Sequence, residues 1–122
     1  MSSPTSSLRI VVADDESDIR EYFEAILPRL GHQVVGAAED GQQLVALCQQ
    51  EHPDLVITDV MMPKMDGLTA AEKISRSISV PIIVVSSHEK GDTSGNPRIV
   101  DYLVKPISIA DLEASIRHAV RV

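Results

Sequence analysis

Asp14 and Asp15 stand side by side after one short aliphatic run, and Asp59 closes another. Carboxylates gathered in one place repel each other, and the relief is either a raised pKa or a hard divalent cation held by oxygen ligands. A partial carboxylate cage with positions left for water suits Mg²⁺, which gives up its waters reluctantly. Ser86 and Lys105 also follow aliphatic runs and add a hydroxyl and an ammonium. Together these groups match phosphoryl chemistry. A carboxylate can attack phosphorus, while Mg²⁺, a lysine and a hydroxyl share the charge on the equatorial oxygens of the transferred group. Other acids have plainer work: Asp18, Asp40, Asp54, Asp66 and Asp111 read as helix N-caps or solvated loop residues.

For these groups to meet, their runs must be strands whose C-terminal ends share one edge. Five such runs occur, at Leu8–Ala13, Val34–Ala38, Leu55–Thr58, Ile82–Val85 and Tyr102–Val104. Nearly continuous β-branched runs without polar alternation are the mark of strands buried on both faces of a parallel sheet. Helical spacing lies between most of them. Ile19, Tyr22, Phe23, Ile26, Leu27 and Leu30 form one amphipathic face ending at Gly31, a glycine C-cap. Leu44, Leu47 and Cys48 mark a second helix opened by Asp40, and Leu68, Ala71, Ile74 and Ile78 a third. Ile109, Leu112, Ile116 and Val120 mark a last one opened by Ser108-x-x-Asp111.

Strand and helix alternate, which predicts an α/β fold; the arrangement expected is a doubly wound five-stranded parallel sheet of order 2-1-3-4-5 with helices on both faces. In that order the first and third strands are neighbours flanking the topological switch point, so Asp14, Asp15 and Asp59 converge. One crossover breaks the rhythm. Residues 87–98 carry two glycines and a proline where a helix should run, so the fourth crossover helix is expected to be short, irregular or mobile.

The chain has 122 residues, room for one core. Residues 1–7 read as a disordered tail and 8–122 as the domain. A net charge of −7 argues against direct contact with nucleic acid or anionic lipid. Three aromatics give no platform for stacking bases, so the core is aliphatic. A single cysteine, Cys48, forbids an intramolecular disulfide and reads as a buried hydrophobe in a reducing, cytoplasmic protein. No apolar run approaches a membrane span.

Val11-Val12-Ala13-Asp14-Asp15-Glu16, Ile57-Thr58-Asp59 continuing through Met61, Pro63 and Lys64 to Asp66-Gly67, Pro81 through Ser86-Ser87, and Tyr102-Leu103-Val104-Lys105-Pro106 resemble the CheY-like receiver domain of two-component response regulators. The resemblance runs from Leu8 over nearly the whole chain. It implies that Asp59 accepts a phosphoryl group from a phosphohistidine on a sensor histidine kinase or phosphotransfer protein. It also implies Mg²⁺ ligation by Asp15, Asp59 and the backbone carbonyl of Met61, with Asp14 acting through a metal-bound water. By the same likeness Ser86 is the switch hydroxyl, Tyr102 the switch aromatic, Lys105 the phosphate-binding lysine, and Lys105-Pro106 a cis bond. The changed surface would involve the fourth crossover, fifth strand and last helix of a monomer or weak dimer.

Met61, Met62 and Met65 read as packing around the turn at Pro63, since thioethers suit soft metals. His32, His52 and His118 lack metal-ligand spacing and read as surface residues. His88, two positions past Ser86, is a candidate for tuning phosphoryl lifetime. Three functions compete: a phosphoacceptor switch that catalyses only its own phosphorylation and hydrolysis; the receiver part of a longer regulator with a DNA- or RNA-binding or enzymatic output module; and a Mg²⁺-dependent aspartyl phosphatase. The last wants an acid two positions after the nucleophile, where Met61 stands. A nucleotide or flavin site is disfavoured because acids, not a glycine-rich loop, follow the first strand.

Overall fold

A computed structural model describes residues 7–87 and 95–121. Five strands, β1 (Arg9–Ala13), β2 (Gln33–Ala38), β3 (Leu55–Asp59), β4 (Ile82–Ser86) and β5 (Ile99–Val104), alternate with α1 (Ser17–Arg29), α2 (Gly41–Glu51), α3 (Gly67–Ser77) and α4 (Ile109–Arg121). All pairings are parallel and the order is β2-β1-β3-β4-β5, the doubly wound order expected above. The three central strands are almost wholly buried, whereas the edge strands β2 and β5 are mostly half-buried because each has a neighbour on one side only.

Alternate side chains feed two cores on opposite faces of the sheet. Val11, Val56 and Val84 pack with Leu44, Cys48, Ala71 and Ile74 under α2 and α3. Ile10, Val12, Ile57 and Ile83 pack with Phe23, Leu27, Leu112 and Ile116 under α1 and α4. Cys48 is buried as expected, and burial pushes its thiol up to about 12, which keeps it unreactive.

The helix ends follow their residues. At the end of α1, Gly31 takes φ +93°, with its N–H bonded to the Pro28 carbonyl and that of His32 to Leu27, the two reverse bonds of a Schellman cap. Asp40 and Asp66 cap α2 and α3 by accepting from the N–H groups of Gln43 and Thr69 at 2.8 and 2.7 Å. Ser108 Oγ accepts from the Asp111 N–H at the start of α4. Asp40 is nevertheless buried, 3% exposed, with Lys64 Nζ 3.7 Å away.

Two readings of the sequence need correction. His32 is not a surface residue: it is 9% exposed, and its Nδ1 accepts the Leu8 N–H at 3.1 Å, so the ring closes the entry to β1. The fifth strand begins three residues early, at Ile99. Asp101 conceals it by interrupting the apolar run, and its carboxylate is satisfied by the Ser115 hydroxyl on α4 at 2.8 Å and by the Tyr102 N–H at 2.9 Å. Between β4 and β5 no described residue is helical. Asn96 organises the return by donating to Ser75 Oγ on α3 and accepting from the Arg98 N–H. Residues 88–94, on which most of the irregular-crossover expectation falls, lie outside the described residues, as do residues 1–6 of the expected tail and His88.

Candidate functional site

The C-terminal ends of β1, β3, β4 and β5 bring the polar groups together. Asp14 follows β1 and is 1% exposed, Asp59 ends β3 at 5%, and Asp15 between them in the chain's loop is open to solvent. One carboxylate oxygen from each lies within 4.8 Å of the others. Ser86 ends β4, buried, and Lys105 follows β5. The Lys105 N–H bonds the Ser86 carbonyl at 2.8 Å, which fixes these two neighbours in register. Lys105-Pro106 is cis.

Lys105 Nζ reaches Asp14 Oδ2 at 2.8 Å, Asp59 Oδ2 at 3.4 Å and Glu16 Oε1 at 3.6 Å. Burial alone would lower the lysine's pKa, but the Asp14 and Asp59 carboxylates outweigh it and hold it above the ordinary value. Asp59 moves upward too. Burial and the nearby Asp14 charge disfavour its ionised form more than Lys105 and the Val60 N–H, 2.7 Å from Oδ1, favour it. A buried carboxylate short of compensation is a group that gains by acquiring a cation. The acids supply hard oxygen donors only, which fits Mg²⁺ and disfavours soft or thiophilic metals.

The chain beyond Asp59 is held by close packing. The Gly67 N–H bonds the Val60 carbonyl at 2.8 Å, and a Cβ at Gly67 would overlap the Asp59 carbonyl oxygen, so only glycine lets α3 start here. Met61 extends its side chain into solvent, 62% exposed, while Met62 is buried. Tyr102 is half-buried against the core under α2 and α3. Of the remaining histidines read as surface residues, His52 and His118 are exposed. Beside Lys105, the residues Ile19, Tyr22, Phe23, Val85, Pro106 and Ile107 line an apolar cavity of about 420 Å³.

Two residues at the site were not singled out from the sequence. Glu16 extends the acidic pair toward Lys105, and Arg20, one helical turn later, donates from Nη1 to the Asp14 carbonyl at 2.8 Å. The signal was local: Glu16 adjoins the pair, and a residue four positions along a helix lies back over it.

The sequence matches the response regulator receiver domain family over residues 10–117. The chain belongs to the response regulator receiver family. This receiver domain is 41% identical over 115 residues to the transcriptional regulatory protein PdtaR of Mycobacterium tuberculosis strain H37Rv, covering 92% of this chain and 56% of that protein. It is 41% identical over 120 residues to the probable transcriptional regulator ycf27 of Cyanophora paradoxa, covering 93% and 48%. The receiver thus spans about half the length of these relatives. Among solved structures it is similar to the signal receiver domain of the putative response regulator NarL from Mycobacterium tuberculosis, with TM-score 0.80, 26% identity, and coverage of 96% of this chain and 98% of that one. It is also similar to the response regulator domain of Thermotoga maritima CheB, with TM-score 0.80, 27% identity, and coverage of 95% and 98%. The fold is the receiver's doubly wound sheet, and the chain is a signalling domain of the two-component class. Among the described residues no helix is long and apolar enough to cross a membrane.

Proposed function

We propose that this receiver is a phosphoacceptor switch in which Asp59 takes a phosphoryl group from a phosphohistidine on a sensor histidine kinase or phosphotransfer protein. The observation that carries the reading is the buried Asp59 carboxylate, set among Asp14 and Asp15 and facing the Lys105 ammonium. An Asp59 oxygen forms the new P–O bond as the P–N bond to the donor imidazole breaks, and the imidazole nitrogen keeps the bonding pair. Lys105 Nζ and the Ser86 hydroxyl then donate to the phosphoryl oxygens. Asp15, Asp59 and the Met61 carbonyl would hold Mg²⁺ directly, with Asp14 acting through water. When bound, the ion supplies positive charge to the acids and the transferred group.

The apolar wall formed by Ile19, Tyr22, Pro106 and Ile107 beside Lys105 supports a protein donor, since it offers a partner's helix buried contact next to the phosphoacceptor. Drawing Ser86 toward the phosphoryl group would reshape the surface of the fourth crossover, β5 and α4, with Tyr102 following. The buried, unreactive Cys48 fits a cytoplasmic setting. Since the receiver spans about half of its relatives, the second reading is that it regulates an output module elsewhere in a longer protein.

The test is incubation with a small acyl phosphate and Mg²⁺, followed by intact mass measurement. Wild type gains one phosphoryl group and Asp59→Asn gains none; no gain on wild type, or equal gain on the variant, rejects the assignment.

A further inference from the structure

Asp14 is tied down on every side. Its N–H bonds the Ala38 carbonyl at the end of β2, its Oδ1 accepts the Glu16 N–H, its Oδ2 accepts from Lys105, and its carbonyl accepts from Arg20. Asp15 is the opposite: its side chain is exposed and makes no hydrogen bond or ion pair among the described residues. Its direction is therefore inherited from its backbone. The Asp14 carbonyl and the Asp15 nitrogen share one rigid peptide plane, so whatever grips that carbonyl orients the start of Asp15.

Arg20 is the group that grips it. Among the described residues its guanidinium makes no ion pair within 4.0 Å and donates instead to the Asp14 carbonyl at 2.8 Å. We propose that Arg20 is a positioning residue that holds the Asp14–Asp15 peptide so that the Asp15 carboxylate is presented to a divalent cation. The inference rests on the phosphoacceptor reading above, in which Asp15 is a metal ligand.

The sign of the effect separates positioning from charge. A guanidinium near a cation site repels the cation, so if Arg20 acted only through space, its removal would tighten binding. If it orients a ligand, its removal loosens binding, and groups that orient metal ligands typically carry about 10–100-fold in affinity. Calorimetric titration with MgCl₂ of wild type, Arg20→Met and Arg20→Gln decides, with metal-free thermal unfolding establishing that the variants are folded. Methionine keeps the apolar stem, and glutamine keeps a polar side chain too short to reach. Either folded variant is expected to bind Mg²⁺ about 10-fold more weakly than wild type. Binding equal to or tighter than wild type overturns the positioning role and leaves the phosphoacceptor reading standing. Absence of Mg²⁺ binding by wild type overturns both.

Discussion

Lys105 carries the charge balance of the site, one ammonium among Asp14, Asp59 and Glu16. It does not balance it fully, since Asp59 still sits above the ordinary carboxylate pKa because of burial and the Asp14 charge. A carboxyl whose folded pKa exceeds its unfolded one loses stability as it ionises, so at neutral pH the Asp59 charge opposes folding. Asp59→Asn removes that charge and keeps an oxygen for the Val60 N–H. Thermal unfolding in EDTA should show it a few degrees above wild type; an equal or lower midpoint would mean that Lys105 already compensates Asp59. The acids, Ser86 and Lys105 were legible because each ends an aliphatic run, and a strand end is a place on an edge. Glu16 and Arg20 were not, since their contribution is a distance and a hydrogen bond that depend on how α1 leaves the loop.

At the scale of elements, the start of α3 is set by contact rather than by capping alone. Asp66 caps the helix, but Gly67 is what allows its first turn to lie on the Asp59 carbonyl. In Gly67→Ala the new methyl must push β3 and α3 apart, and overpacking of this kind costs about 1–3 kcal/mol. Urea unfolding should show that loss, and phosphoryl acceptance should fall with it because the displaced group is Asp59 itself; full stability in the variant would mean that the loop yields without strain. Strands and caps could be read from β-branched runs and from Asp, Ser and Gly at helix ends. The early start of β5 could not. Asp101 breaks the apolar pattern, and its justification is the Ser115 hydroxyl on a helix fourteen residues later.

For the whole molecule, the buried His32 joins the start of β1 to the end of the first βα unit, with Glu113 of α4 nearby in charge. Burial lowers its pKa below 6.5, the Glu113 charge opposing only in part, and the neutral Nδ1 is what accepts the Leu8 N–H. Below about pH 6.5 the unfolded chain takes a proton that the folded chain refuses, so stability falls as pH drops through that window toward the lowered folded pKa. Between about pH 7.5 and 5.5 the unfolding midpoint of wild type should therefore fall more than that of His32→Gln; parallel curves would show that the ring accommodates its proton. Nothing in the spacing of the histidines foretold this, because burial of a lone polar side chain is decided by the packing of distant elements. Fold class was legible because it follows from alternation along the whole chain, whereas the strand order came from the doubly wound arrangement in which the acids converge.

The strand order also has a consequence in time. β1 is synthesised first but lies between β2 and β3, so its second neighbour is missing until Leu55–Asp59 has been made. Closing that gap is a long-range step, of the kind that slows the folding of parallel sheets. The same step brings Asp59 up to Asp14, so the centre of the sheet and the acid cluster come into being in one event, against the repulsion between the two carboxylates. A chain that has gathered those acids has, by the same act, joined β1 to β3.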